Sequence, residues 1–206
     1  NGIRLIPDGL FNLASRGFWQ FHHVLENVSG SPFVNWFHFN HDRLNHHRNW
    51  GAYPGEQEQQ ALNRGVGSFD AIGYNAWWNL PALPKLNTNC HEVREFIFNA
   101  AVHWINFGAD GWRLDVAAEI DDDSFWEEFR HRVKTANPDA YIVAEIWHEA
   151  HRWLQGNQFD ATMNYLVTAA LMGWLVKDRL PAYSYTIGGM RNVLRPLTAT
   201  EFGDRI

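Results

Sequence analysis

Short apolar runs that alternate with amphipathic segments restrict the fold of this chain more than any other feature. The runs "GWRLDV" at 111–116 and "AYIVAEIW" at 140–147 are too short for helices and predict strands buried on both faces. Between them, residues 120–138 carry apolar side chains every three or four positions, which predicts a helix. Buried strands joined through helices run parallel. The sequence therefore predicts an α/β fold made of parallel βαβ units.

The strongest helical pattern lies before the first of these runs. It covers residues 91–108, with Asn89 as the expected cap and Gly108 as the expected stop. Its predicted buried face consists of Val93, Phe96, Ile97, Ala100, Ala101, Trp104 and Ile105. The corresponding face of the second helix consists of Phe125, Trp126, Phe129 and Val133. Both helices should therefore pack one face onto the core.

The number of strands predicts part of a barrel. Besides the two runs, "GIRLIP" at 2–7 predicts a first strand and "FDATMNY" at 159–165 a last one, followed by a helix through "LVTAALMGWLV". A closed (β/α)₈ barrel takes about 250 residues, so four strands correspond to about half of one. Residues 14–89 are rich in His, Asn, Gly, Trp and Phe and have weak periodicity, as in a functional insertion. We interpret 14–89 as an inserted subdomain, and 1–13 with 90–206 as the partial barrel.

The composition restricts which kinds of binding partner and which cellular compartment we expect for this protein. A net charge of -6 and the absence of a Lys/Arg cluster argue against nucleic acid, and no run reaches transmembrane length. Cys90 is the single cysteine, so no intrachain disulfide forms and a reducing cytoplasm is allowed. The start of the chain lacks the features of a signal peptide, so we expect a cytoplasmic protein. Eleven Trp residues exceed ordinary core needs, and stacking on sugar rings is one use for them.

Carboxylates follow the predicted strands. Arg113 and Asp115 share one face of their strand, and in isolation they could be only a structural ion pair. Glu145, however, ends the next strand in the same way, and Asp8 ends the first; Asp160, at the start of the last, fits less neatly. Two acids at neighbouring strand ends suit chemistry at a sugar acetal.

This pair also leads to an expectation about charge. Arg113 should keep Asp115 ionised as the nucleophile. The apolar neighbours of Glu145 should raise its pKa and make it the acid and base.

Several stretches resemble the α-amylase family of glycoside hydrolases. "GADGWRLDVAAE" and "VAEIWHEA" resemble its second and third sequence blocks, and "LPALPKLN" resembles a block at the end of its inserted domain B. "SRGFWQFHHVLENVSGSPF" and "WWNLPALPKLNT" are similar to its neopullulanase, cyclomaltodextrinase and maltogenic amylase branch. The resemblance implies a (β/α)₈ barrel of which about strands 3 to 6 are present. It also implies cleavage of α-glucosidic bonds with retention through a covalent glucosyl enzyme.

The resemblance implies roles for particular residues. Asp115 matches the nucleophile, Glu145 the acid/base, and Arg113 the arginine that supports the nucleophile. Glu119 matches a glutamate typical of this branch, which favours small or cyclic maltodextrins and pullulan. The remaining candidates for substrate binding or support are Asp8, Trp147 and Trp78, where Trp78 could equally pack the insertion onto the barrel.

The resemblance further implies that no cofactor is required for the chemistry, that a structural calcium ion has Asn12 among its ligands, and that a homodimer can form. Two departures from the pattern matter. Leu13 stands where the family has a sugar-binding histidine, and the family's third catalytic aspartate has no counterpart. We therefore expect the chain to belong to a longer enzyme. Two alternatives stay open: a glucan-binding relative without catalysis, and a transglycosidase of the same fold.

Overall fold

The computed structural model describes residues 2–46 and 52–168. Four strands occur there: β1 (Asp8–Gly9), β2 (Gly111–Leu114), β3 (Tyr141–Ala144) and β4 (Ala161–Thr162). The α-helices are α1 (Trp19–Asn27), α2 (His41–His46), α3 (Glu56–Asn63), α4 (Ser68–Ala71), α5 (His91–Asn106) and α6 (Asp123–Ala136). Short 3₁₀ turns cover Val28–Gly30, Val34–Trp36, Trp77–Asn79, Ala117–Glu119 and His151–Trp153. Most of the helix predicted through "LVTAALMGWLV" lies outside the described residues.

The strands form one parallel sheet in the order β1-β2-β3-β4, as the βαβ pattern predicted. Gly111 pairs with Tyr141 and Leu114 with Ala144, so β2 and β3 end level with each other. Gly111 is required at its position, because a Cβ atom there would lie 2.0 Å from the Tyr141 carbonyl oxygen. This close register places the residues that follow β2 and β3 side by side.

The first strand is shorter than predicted. The sequence indicated residues 2–7, whereas the strand is Asp8–Gly9. The preceding segment still follows β2, since the Asp110 and Arg113 amides donate to the Leu5 and Pro7 carbonyls. This segment does not donate backbone hydrogen bonds to β2 in return, because Pro7 has no N–H and the Leu5 amide donates to the Asp110 carboxylate. A regular ladder therefore starts only at Asp8.

Helix α5 confirms the predicted position but corrects its cap and its buried face. The cap is Cys90, without a side-chain hydrogen bond, and not Asn89; the helix does stop before Gly108, which has a φ of 115°. The buried residues are Val93, Ile97, Phe98, Ala101 and Ile105. Phe96 and Trp104 are partly exposed. Phe96 instead contacts the rings of Phe18 and Trp36 in the inserted segment.

Helix α6 has the predicted core face. Phe125, Trp126, Phe129 and Val133 are all at most 1% exposed. They pack against α5, where the Phe98 and Phe125 rings have centroids 5.0 Å apart. The α5 and α6 pair thus covers one side of the sheet and holds β2 and β3 in register.

Asp122 caps α6 and gives a stability prediction. Its side chain accepts a hydrogen bond from the Phe125 amide and pairs with Arg94 at 2.7 Å. We expect Asp122→Ala to lower the free energy of unfolding by about 1 kcal/mol at pH 7, measured by urea unfolding. Asp122→Asn is the matched control: it keeps the cap and loses the charge, so its loss should be smaller.

The same site has a defined pH dependence. Hydrogen bonds from Ser124, Arg94 and the Phe125 amide outweigh burial and lower the pKa of Asp122. A carboxyl with a lowered folded-state pKa stabilises the protein above its unfolded pKa of about 3.9, and this contribution is lost as the pH falls through the folded value. The difference between wild type and Asp122→Ala should therefore shrink below about pH 4. An unchanged difference at pH 2.5 would contradict this account.

Residues 14–89 contain α1 to α4 and pack around aromatic rings. Phe21, Phe37, Phe39 and Tyr74 are buried and contact one another, with ring centroids 5.0 to 6.2 Å apart. The segment returns to its starting point, because the Ala14 amide donates to the Pro84 carbonyl. The two ends of the segment therefore lie next to each other, close to the carboxyl end of β1.

Among the helices of the described residues, none is long and apolar enough to span a membrane.

Candidate active site

Arg113 joins the carboxyl ends of three strands. Its Nη1 atom lies 2.8 Å from Asp8 and is in close contact with Asp115, while Nη2 lies 2.9 Å from Glu145. Asp8 lies in β1, Asp115 follows β2 and Glu145 follows β3. The Arg113 side chain is 24% exposed, so the cluster is partly shielded from water. The ion pair and the carboxylate pair expected from the sequence are therefore parts of one arrangement.

The backbone explains why the two acids meet. The Asp115 amide donates to Gly9 and the Glu145 amide to Leu114, which continues the ladder one residue past the strands. Val116 then adopts a left-handed conformation with a φ of 39°, which is unusual for a β-branched residue. In this conformation its amide donates to Glu145 Oε2 at 3.2 Å. The turn after β2 thus directs a donor at the neighbouring acid.

The charge preference of the pair is opposite to the expectation. Burial raises the pKa of Asp115, and the negative charge of Glu145 raises it further, against the effect of Arg113. The Glu145 carboxyl lies close enough to hydrogen-bond with Asp115, which strengthens the coupling. Arg113 alone therefore does not keep the Asp115 pKa at or below its usual value, as the sequence suggested.

The Glu145 carboxylate is stabilised by several donors. Burial by itself would raise its pKa, but hydrogen bonds from Trp147, Tyr165 and the Val116 amide, together with the charge of Arg113, lower it. From the apolar neighbours of Glu145, the sequence predicted a raised pKa. That prediction was wrong, because Trp147, two residues along the chain, acts as a hydrogen-bond donor, and Tyr165, the Val116 amide and Arg113 reach the carboxyl from other parts of the fold.

A cleft opens above Glu145. Its volume is about 470 Å³, and its lining consists of Trp78, Val116, Ala118, Glu119, Glu145, Ile146, Trp147 and His148. The Trp78 ring stacks on Trp77 at 4.7 Å and meets Trp147 edge-on at 5.7 Å. Glu119 pairs with Lys85 at 2.9 Å, so a cation from the inserted segment reaches the rim. Flat apolar rings beside carboxylates suit a sugar ligand.

Most of the predicted site residues are brought together. Three acids surround Arg113, while Trp78, Glu119 and Trp147 line the cleft beside them. Asp160 is different: its carboxylate accepts from the Ile142 amide and pairs with Arg130 and Lys134, so it lies near the start of β3. It was considered with the strand-end acids, but it lies at the opposite end of the sheet, near the amino ends of the strands.

Asn12 does not assemble a calcium site with the described residues. It is buried, its Nδ2 atom has no partner, and its backbone carbonyl accepts from the Leu86 amide. Calcium takes six to eight oxygen ligands, commonly carboxylates. Within residues 2–46 and 52–168, no group of three His, Cys, Asp or Glu side chains could hold a metal. These residues do not fit the ion, and we derive no step through it.

Two contributors to the site were missed in the sequence. Tyr165 donates its hydroxyl proton to Glu145 Oε1 at 2.8 Å, and Lys85 pairs with Glu119. Tyr165 could have been noticed, because it follows the last strand as Glu145 follows β3. Lys85 lies 34 positions before its partner, and no periodicity connects them.

The sequence of this chain is similar to those of known proteins. The sequence matches the family described as alpha amylase, catalytic domain, over residues 1–190. The chain belongs to the α-amylase family. Its parallel sheet with covering helices is consistent with part of the family's barrel.

Individual α-amylase family members show the same likeness. A cyclomaltodextrinase of a Bacillus species is 40% identical over 190 residues, which is 91% of this chain and 30% of that protein. Neopullulanase 2 of Thermoactinomyces vulgaris is 39% identical over 88% of this chain and 27% of its own length. The intracellular maltogenic amylase of Bacillus subtilis is 34% identical over 88% of this chain and 26% of its own length.

A solved structure extends the comparison to three dimensions. The debranching enzyme of Nostoc punctiforme superimposes with a TM-score of 0.81 at 39% identity, covering 99% of this chain and 38% of that one. The chain thus spans under one third of the length of these curated relatives.

Proposed function

We propose that this chain is the part of a retaining α-glucan hydrolase that carries the nucleophile and the acid/base. The observation that supports this most directly is the carboxylate pair Asp115 and Glu145, held by Arg113 at neighbouring strand ends beside an aromatic cleft. In parallel barrels, active sites lie at the carboxyl ends of the strands. A structural ion pair alone would not need a cleft of this kind above it.

The proposed chemistry uses the two acids in sequence. Asp115 attacks the anomeric carbon while Glu145 donates a proton to the departing glycosidic oxygen. Glu145 then takes a proton from water, whose oxygen displaces Asp115 from the sugar with overall retention. Both carboxyls contact the same guanidinium and therefore lie close together. This supports retention, because an inverting enzyme needs them far enough apart for a water molecule.

The directions of the two pKa shifts are compatible with these roles. The Glu145 charge is one cause of the raised pKa of Asp115. A glucose ring held between the two carboxyls would separate them and weaken that effect, which leaves Arg113 as the main electrostatic neighbour of Asp115. Once Asp115 is ionised, its charge disfavours a second negative charge on Glu145, which helps Glu145 keep a proton for the glycosidic oxygen.

We propose small or cyclic maltodextrins and pullulan as substrates, with cleavage of α-1,4 bonds and, in pullulan, also α-1,6 bonds. The relatives named cyclomaltodextrinase and neopullulanase support this choice. Trp78 and Trp147 offer ring faces for glucose units, and Glu119 lies at the rim where the branch carries glutamate. Asp8 would support the site by sharing Arg113.

The test uses the complete protein that contains these residues. It should release maltose from β-cyclodextrin and maltose or panose from pullulan, measured by anion-exchange chromatography. Proton NMR of the first product should show the α-anomer. A complete protein that is inert with Asp115 and Glu145 intact, or that releases the β-anomer, would contradict the proposal.

Transfer to a sugar hydroxyl instead of water would use the same two carboxylates. Product analysis at rising maltotriose concentration separates the outcomes, because transglycosylation gives products longer than the substrate. We propose hydrolysis as the main activity because the relatives above are named cyclomaltodextrinase and neopullulanase.

A second candidate, a glucan-binding relative without catalysis, rests on Leu13. Leucine can neither donate nor accept a hydrogen bond, and Leu13 is 5% exposed beside Lys85. Loss of one transition-state contact costs on the order of 10²-fold in rate. Binding of maltoheptaose without turnover, unchanged in Leu13→His, would favour this candidate.

We also propose a cytoplasmic location, as the name of the Bacillus subtilis relative supports for that protein. Dimer formation stays an expectation from the resemblance. Sedimentation of the complete protein tests it.

A further inference from the structure

Tyr165 is anchored where it can reach the proposed acid/base. It lies three residues after β4, with its side chain partly buried. The Met163 amide donates to the Ala144 carbonyl, and the Tyr165 amide donates to the Met163 carbonyl. This short segment is therefore fixed to the end of β3, and the tyrosine hydroxyl donates to Glu145 Oε1 at 2.8 Å.

The Glu145 carboxyl is held from two sides. Oε1 accepts from Tyr165, and Oε2 accepts from the Val116 amide at 3.2 Å and pairs with Arg113 at 2.9 Å. Arg113 and Val116 belong to β2 and the turn after it. Tyr165 provides the hold from the other side, after β4. Trp147 also hydrogen-bonds this carboxyl. Without the Tyr165 hydroxyl, Oε1 loses its donor from the β4 side, and the carboxyl is held less firmly against rotation about its last side-chain bond.

We propose that Tyr165 is a positioning residue whose hydroxyl fixes the orientation of the Glu145 carboxyl and favours its ionised form. This inference rests on the proposed function, in which Glu145 protonates the leaving oxygen. Tyr165 acts through Glu145 and takes no part in bond making itself.

The charges around Glu145 agree with this role. Arg113 and Asp115 face it from the β2 side, Asp8 acts through Arg113, and Glu119 and His148 line the same cleft. Burial raises the pKa of the Tyr165 phenol, and the hydrogen bond and charge of Glu145 raise it further. The phenol therefore keeps its proton and remains a donor at neutral pH.

The sign of the effect follows from the hydrogen bond. A donor to the carboxylate lowers the pKa of Glu145, so its removal raises that pKa. A general acid works in its protonated form, so its pKa determines the alkaline limb of kcat/KM. Tyr165→Phe should move this limb to higher pH by roughly half a unit to one unit. It should also lower kcat about tenfold with little change in KM, because the proton is less well aligned.

The matched control is Tyr141→Phe. It removes the same atom from the first residue of β3, at the opposite end of the strand from Glu145. Both variants would be made in the complete protein and assayed on β-cyclodextrin from pH 4 to 9, with thermal unfolding recorded in parallel. A shifted limb in Tyr165→Phe only supports the proposal. An unshifted limb, or equal shifts in both variants, overturns it.

A second measurement separates this proposal from the proposed function. The carbon NMR titration of protein labelled at the Glu side-chain carboxyls, with the Glu145 signal assigned through Glu145→Gln, reports the Glu145 pKa without any substrate. An inactive wild type would refute the hydrolase proposal, yet a higher Glu145 pKa in Tyr165→Phe would still support the hydrogen-bond role. An unchanged pKa would overturn that role even in an active enzyme.

Discussion

Asp115→Asn in the complete protein is expected to lower kcat on β-cyclodextrin by on the order of 10⁴-fold or more. The amide has the shape of the carboxylate but is a very poor nucleophile, so no covalent glucosyl enzyme can form. Its oxygen can still accept from Arg113, which lies in close contact with Asp115 in the wild type. Stability should therefore change little, and single-turnover kinetics should show the loss in the chemical step.

The control for this prediction is Asp160→Asn. Asp160 pairs with Arg130 and Lys134 near the amino ends of the strands, at the opposite end of the sheet from Asp115. We expect this variant to lose roughly 1 kcal/mol of stability and to keep a kcat within about twofold of wild type. Mass spectrometry of enzyme trapped with a fluorinated α-glucoside should find the label on Asp115. A label on Glu145, or an Asp115→Asn variant with more than a tenth of wild-type activity, would refute the assigned roles.

Arg113→Leu is expected to lower the free energy of unfolding by about 3 kcal/mol at pH 7, measured by urea unfolding. The guanidinium compensates three carboxylates and is only 24% exposed. Removing one partner of a shielded ion cluster leaves the others unpaired and mutually repelling, which costs about 3–5 kcal/mol when fully buried. We expect the lower end because water reaches part of the site.

The pH dependence of this loss has a clear sign. Without Arg113, repulsion raises the folded-state pKa values of the three carboxyls above their unfolded values near 4. The folded state then binds more protons than the unfolded state, so stability decreases as the pH rises. The difference from wild type should be small near pH 3 and reach its full size near pH 7. A difference that does not depend on pH would contradict the electrostatic cause.

Arg152→Leu is the matched control for Arg113→Leu. Arg152 also pairs with two acids, Asp121 and Asp123, but its side chain is 45% exposed and the acids are more so. Exposed pairs contribute little to stability, so we expect a much smaller loss than in Arg113→Leu. If Arg113→Leu and Arg152→Leu lower the free energy of unfolding equally, burial of the carboxylate cluster is not what makes Arg113 important.

Local patterns in the sequence were enough to locate the strands and the helix that position the site. The 3.6-residue periodicity identified the core face of α6 at Phe125, Trp126, Phe129 and Val133. The apolar runs located β2 and β3, and a parallel sheet brings equivalent strand ends to one edge. Asp115 and Glu145 could therefore be placed together from the sequence, because each is the first residue after its strand.

Tertiary structure alone decided how that site is charged and held. The pKa of Asp115 is raised and that of Glu145 is lowered, and both directions are opposite to the expectation, because burial and the Glu145 charge act on Asp115 while Trp147, Tyr165 and the Val116 amide donate to Glu145. Asp160 resembles a strand-end acid in the sequence, yet its cationic partners lie 26 and 30 positions away in α6. Hydrogen bonds and charges act through space over a few ångströms. Hydrophobic periodicity records only which face of an element is buried, so the sequence by itself could place these acids but could not give the direction in which the fold shifts the pKa of each.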